Sequence, residues 1–184
     1  PRVAENLRVR VVDAIQQLGY EPNRAARRLR AGSTDVFGLI ISDIENPFFT
    51  SVVRGVEDTA YQYQLSVVLC DTGEDPVRQE MYLRIMLAER VAGLIIAPTD
   101  VDEDYQELRR AGIPLILLDR RSERFETDAV TIDNVGGAYL AVRHLLDLGY
   151  ERIGMIGGSP HLSTGRERYE GYRKALGAAG LKVD

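Results

Sequence analysis

The sequence predicts an α/β fold: a doubly wound, mostly parallel sheet preceded by a short helical segment. Three observations predict it. From residue 36 onward the chain carries short apolar runs: VFGLII (36–41), LSVVLC (65–70), VAGLIIA (91–97), IPLILL (113–118), AVTI (129–132) and RIGMI (152–156). Most are continuous rather than alternating, the pattern of strands buried on both faces, as in parallel sheets. Helical periods lie between them, and repeated β–α units at this spacing build a doubly wound sheet.

The elements follow in order. Leu7, Val11, Ala14, Ile15 and Leu18 form one apolar stripe at helical spacing. Gly19 stops that helix in the position where a positive φ costs least. Pro22 starts a new element, and NRAARRLRA (23–31) is a second, short helix, marginal alone because it is brief and charged. Ala31–Thr34 is a linker. Beyond it, helices are expected near 48–63, 76–90, 102–111, 135–148 and 164–179. Residues 119–134 break the rhythm and hold a loop with a short extra strand.

Composition limits the classes. The chain has 184 residues, enough for one domain or one plus a fragment, with 45% apolar and 28% charged content. That mix excludes disordered, collagen-like and disulfide-scaffold proteins. Its longest apolar runs fall far short of a membrane helix. The single cysteine, Cys70, suits a reducing compartment, and no charged-then-apolar leader opens the chain, so a cytoplasmic location without membrane contact is expected. Pro1 and Asp184 read as cut or processing points, so a larger protein is expected. Charge is uneven. Residues 1–34 carry seven arginines against three carboxylates, a net of +4; the total is −5, so the remainder carries −9. A basic head on an acidic body is the footprint of a nucleic-acid module joined to something else, or of a solvated basic helix.

Open α/β sheets bind ligands beyond the carboxyl ends of their strands. The residues there are Ser42, Asp43, Asn46, Phe48 and Phe49; Asp71 and Thr72; Thr99 and Asp100; Asp119 and Arg120; Asp133 and Asn134; and Ser159, Ser163, Thr164 and Arg168. This polar rim with an aromatic face suits a small polar ligand. The alternative is that these residues are caps, turns and salt bridges, such as Arg120 with Asp119 or Asp71.

Enzyme chemistry finds little support. No P-loop, G-x-S-x-G elbow or G-x-G-x-x-G spacing occurs. Lys174 and Lys182 are the only lysines, so none stands at a strand end. His144 lies mid-helix, and His161 has no acidic partner nearby in sequence. Two histidines and one cysteine leave few metal ligands, and neither a metal nor a cofactor is expected. The helix at 76–90 is apolar on more than one face, which points either to a partner surface or to deeper burial.

Longer stretches carry a resemblance. LGYEPNRAARRLRAG (18–32), GLIISDIENPFF (38–49), LCDTGEDPVRQEMYLRIMLAERVAGLIIAP (69–98), IPLILLDR (113–120), DNVGGAYLAVRHLLDLGYERIGMIGG (133–158) and STGRERYEGYRKAL (163–176) together resemble the LacI/GalR family of bacterial transcription regulators. The resemblance implies a remnant of a helix-turn-helix head at 1–22 and a hinge helix with linker at 23–35. It implies the amino-terminal subdomain of a periplasmic-binding-protein-like type I core at 36–158. A crossover into the carboxy-terminal subdomain would follow at 159–184.

It also implies roles. Leu29 stands where the family inserts a leucine into the minor groove, with Asn23, Arg24, Ala26, Arg27 and Arg30 around it on DNA. Asn46, Phe48, Asp71, Arg120, Thr164 and Arg168 stand at effector-contact positions, and Leu162 where some members carry a polar contact. Met81 and Ile85 are expected at a homodimer interface. The expected function is a DNA-binding regulator whose core binds a sugar, sugar phosphate or purine and controls operator binding. The alternatives are a solute-binding protein of the same fold serving a transporter, and a sugar- or nucleotide-modifying enzyme.

Overall fold

A computed structural model describes residues 4–19 and 34–183. The chain divides into two compact units, 1–34 and 35–184. In the first, α1 (Glu5–Leu18) ends at Gly19, whose left-handed backbone donates to the carbonyls of Gln16 and Ile15. Its apolar stripe, including Leu7, Val11 and Leu18, is exposed. The expected hinge helix, with Asn23, Arg24, Ala26, Arg27, Leu29 and Arg30, lies outside the described residues.

The second unit contains β1 (Val36–Ile41), α2 (Pro47–Gln62), β2 (Ser66–Asp71), α3 (Pro76–Glu89), β3 (Leu94–Ile96), α4 (Gln106–Ala111), β4 (Leu115–Leu118), β5 (Ala129–Val130), α5 (Asn134–Asp147) and α6 (Ser163–Ala178). The strands form one sheet in the order β2-β1-β3-β4-β5. Every pairing is parallel: Val36 opposite Ser66, Gly38 opposite Leu94, Leu94 opposite Leu115 and Leu117 opposite Ala129. The order reverses between β1 and β3, which makes that crevice the topological switch point.

Side-chain alternation along β1 sends Ile40 to one face and Leu39 and Ile41 to the other, and all three are fully buried. Ile40 joins Leu94, Ile96, Leu115 and Leu117 in a core shared with Met86 of α3, Leu108 of α4, Tyr105 and Phe125. Leu39 and Ile41 join Phe49, Ala97 and Leu118 beneath Val52, Val53 and Val56 of α2. Helices on both faces are what continuous apolar strands require. Gly38 keeps β1 close to its neighbours; a Cβ there would lie 2.7 Å from Leu94 Cδ1 and 2.8 Å from Met86 Sδ.

A third core joins α5 to α6 across residue 158, the expected subdomain border. Val142 packs with Tyr172, Ala175 and Leu176, and Ile153 and Met155 lie against them. Gly171 permits this approach, since a Cβ there would collide with the Val135 carbonyl and sit 2.8 Å from Ala138 Cβ.

Two expectations are corrected, and a third divides. Residues 152–156 form no strand: no described strand pairs with them, and a strand exists only where a neighbour supplies backbone partners. Ile156 is wholly exposed. The extra strand stops at Val130, two residues short of the apolar run. Deeper burial of the helix at 76–90 holds for Met86, with Tyr82, Leu83 and Leu87 partly buried against the core, but not for Met81 and Ile85, which are exposed.

Candidate functional site

The carboxyl ends of β1 to β4 deliver Ser42 to Phe49, Asp71 and Thr72, Thr99 and Asp100, and Asp119 and Arg120 to one edge of the sheet. At β1, Asn46 caps α2, its Oδ1 accepting from the Phe48 N–H at 3.0 Å, and Pro47 takes the first turn. Phe49 turns into the core while Phe48 meets it edge-on, ring centroids 5.1 Å apart, and stays exposed. Asn46 is therefore occupied as a cap, and Phe48 is the aromatic left at the surface. At β2, Asp71 is half-buried and its Oδ1 accepts from the Gly73 N–H at 3.1 Å, closing the turn into Glu74.

The densest chemistry lies where that turn meets the end of β4. Arg120 is buried and donates to both Glu74 carboxylate oxygens, Nη1 at 2.7 Å and Nη2 at 2.5 Å. Nη1 also donates to the Pro98 carbonyl at 2.8 Å, and the Asp119 carboxylate stands 3.7 Å from Nε. The expected alternative for Arg120, a rim salt bridge, is thus what forms, with Glu74 as the main partner rather than Asp71. Asp119 is buried with φ at +63°. Burial pushes its carboxyl above the usual range, and the charges of Arg120 and Arg168 pull it back only in part, against Glu167 and Glu74.

Arg168, on α6, donates from Nε to Asn134 Oδ1 at 2.8 Å, and Asn134 donates to Glu167 Oε2 at 2.9 Å. Thr164 is buried in the first turn of the same helix. Leu162 precedes that turn and offers no side-chain cap. The segment before and within α6 is tied to the sheet's loops. The Val101 N–H donates to the His161 carbonyl at 3.1 Å, the Arg121 N–H to Ser163 Oγ at 3.1 Å, and Arg166 pairs with Glu123 at 2.5 Å. His161 does find an acid, Asp100, at 3.8 Å, a partner remote in sequence.

Three buried rim atoms have no hydrogen-bond partner among the described residues: Ser42 Oγ, Thr72 Oγ1 and Arg120 Nε. Buried polar atoms are normally satisfied, so these three call for a further partner, an ordered water or a ligand; the fourth such atom, the Tyr105 hydroxyl, lies in the core. The positive charges of both Arg120 and Arg168 act on the Asp119 carboxyl, Arg120 from 3.7 Å; Asn46 and Phe48 bond only within their own loop. Sequence reasoning placed Asp119 and Asn134 on the rim without giving either a role, and it missed Glu74. Glu74 and Arg120 are 46 residues apart, which no local period reveals. Among the described residues, no three His, Cys, Asp or Glu side chains gather as a metal site would need. Cys70 is half-buried on β2, and burial pushes its thiol up, away from the reactive thiolate.

A family model described as periplasmic binding proteins and the sugar-binding domain of the LacI family matches residues 34–184. The PurR repressor of Photobacterium profundum is 35% identical over 184 residues, 99% of this chain and 55% of that protein. The chain belongs to the LacI/GalR family of regulators. The HTH-type transcriptional regulator RegA of Clostridium saccharobutylicum is 33% identical over 99% of this chain and 55% of its own length. Among solved structures, a protein of Burkholderia thailandensis assigned as a ribose operon repressor is 42% identical, with a TM-score of 0.74 over 82% of this chain and 58% of that one. The transcriptional regulator CelR in complex with cellobiose is 30% identical, with a TM-score of 0.72 over 100% of this chain and 56% of that one. The chain spans about half the length of the curated relatives it matches. The parallel sheet with flanking helices is the periplasmic-binding-protein-like type I fold. No described helix is long and apolar enough to cross a membrane.

Proposed function

We propose that this LacI/GalR-family chain works as the effector-sensing part of a transcriptional repressor. A small polar effector, a sugar, sugar phosphate or purine, would bind at the carboxyl rim, and operator DNA would meet Arg24, Arg27, Leu29 and Arg30. The observation that carries the reading is the set of buried polar atoms without a hydrogen bond among the described residues, Ser42 Oγ, Thr72 Oγ1 and Arg120 Nε, the last with only the Asp119 carboxylate 3.7 Å away, at the edge where an open α/β sheet binds its ligands. The names of the relatives support it, repressors among them and one solved with cellobiose. A solute-binding protein would have no use for seven arginines within residues 1–34. The reading involves no catalysis, and it places the protein in the cytoplasm as a homodimer.

The second lobe is proposed to open at Asp133, since α5 shares its core with α6. The effector would then sit between the sheet's rim and the start of α6. The bonds Val101–His161, Arg121–Ser163 and Glu123–Arg166 are the ones it would shift. Coupling is reciprocal: operator DNA must change effector affinity by the factor by which effector changes DNA affinity. The test is thermal unfolding of the full chain with cellobiose, D-ribose, ribose 5-phosphate and adenine, followed by operator binding with the ligand that stabilises. A ligand at ~100 times its Kd adds about 2.7 kcal/mol. Stabilisation by one of them with altered DNA affinity supports the reading; turnover of any of them overturns it.

A further inference from the structure

Resting on the effector reading above, we propose that Asn134 is the positioning residue that presents Arg168 to the effector. Asn134 is polar yet only 4% exposed, at the start of α5. Its amide is used at both ends: Oδ1 accepts from Arg168 Nε at 2.8 Å, and Nδ2 donates to Glu167 Oε2 at 2.9 Å. An arginine on an exposed helix face normally samples many rotamers, and a ligand must freeze them on binding. Here the guanidinium is held beforehand by a buried acceptor. With Nε taken, the edge left for a ligand is the Nη1–Nη2 fork, and neither nitrogen has a hydrogen-bond partner among the described residues. That fork matches a group offering two acceptor oxygens side by side, whether a vicinal diol, a carboxylate or a phosphate. Asn134 touches no effector in this scheme; it acts through Arg168.

The test uses the full chain. In the parent, the Arg168 Nε–Hε signal in 15N NMR exchanges slowly with water, because a buried oxygen holds it. Asn134→Ala removes that protection. It also weakens, by about tenfold, whichever of D-ribose, cellobiose, ribose 5-phosphate and adenine the parent binds. Added to Arg168→Ala, it causes no further loss. Asn134→Asp combined with Glu167→Gln keeps the net charge and both hydrogen bonds with donor and acceptor exchanged between 134 and 167, and it restores slow exchange and affinity together. A merely structural Asn134 would lower the melting temperature of Asn134→Ala while leaving the Nε–Hε signal and the affinity as they were, and that result overturns the proposal. So does a full additive loss in the double alanine variant. If the parent binds none of the four probes, the effector role falls with the reading it rests on, while the exchange measurement still decides whether Asn134 holds Arg168.

Discussion

Arg120 and Glu74, 46 residues apart, meet in a two-point ion pair at 2.7 and 2.5 Å that fastens the loop after β2 to the end of β4. The arginine side chain is 7% exposed and the glutamate 46%, so the cation is the buried partner and the anion reaches in from the edge. Removing the anion strands a buried guanidinium with the Pro98 carbonyl and a carboxylate 3.7 Å from Nε. Glu74→Ala is therefore expected to lower stability by about 2 kcal/mol in urea unfolding, below the full penalty of a deeply buried pair because water can reach Glu74's place. A change under about 0.5 kcal/mol would mean that water replaces the carboxylate outright.

Asp119 sets a pH dependence with a definite sign. Its folded-state pKa lies above the unfolded value of 3.8, with burial the largest cause. The folded state therefore binds the proton more tightly than the unfolded state does. Above the folded pKa this group opposes folding, and the penalty fades as pH falls through the folded pKa and is gone below 3.8. Asp119→Asn removes the charge and keeps a residue type that tolerates the left-handed backbone at φ +63°. The variant is expected to be more stable than the parent at pH 7, with the difference shrinking toward pH 4. Urea midpoints across that range test it, and a difference that grows on acidification would contradict the assignment.

The fold was legible because its signals are local. The apolar runs at 36–41 and 113–118 have the length and composition of buried strands, and Gly19 and Asn46 end and begin helices by rules that act within a turn. Residues 152–156 are similarly apolar but have no described strand beside them to pair with, and composition cannot say whether a partner is present. The site was legible only as a list of rim positions. That Arg120 is held by Glu74 and Arg168 by Asn134 depends on which loops fold onto which, and those partners are 46 and 34 residues away.

The α5–α6 contact depends on the absence of one side chain. Gly171 faces the Val135 carbonyl and Ala138 so closely that even a methyl group would force the helices apart. Overpacking of this kind typically costs about 1–3 kcal/mol. Gly171→Ala also gains helix propensity, about 1 kcal/mol in the opposite direction. The clash involves backbone that cannot swing away, so a net loss of stability is expected. A melting temperature equal to or above the parent's would show that α5 can shift without penalty.

The last expectation concerns assembly. Val77, Met81 and Ile85 recur every four residues along α3 and are 74%, 49% and 45% exposed, while Met86 on the same helix is buried in the sheet's core. The helix thus spends one apolar face on its own protomer and keeps a second apolar stripe in solvent. Three large side chains in line at i, i+4 and i+8 make the continuous surface that a second helix packs against. In the proposed homodimer, that stripe lies against its copy. Met81→Asp with Ile85→Asp places two charges in the stripe, which would be desolvated without partners in the dimer and remain hydrated in the monomer. Sedimentation of the full chain is expected to shift from dimer to monomer. Thermal unfolding of the separated protomer should change little, since neither side chain belongs to the core. A double variant that stays dimeric and folded would place the interface on another surface, and one that unfolds would mean that the stripe supports the protomer itself.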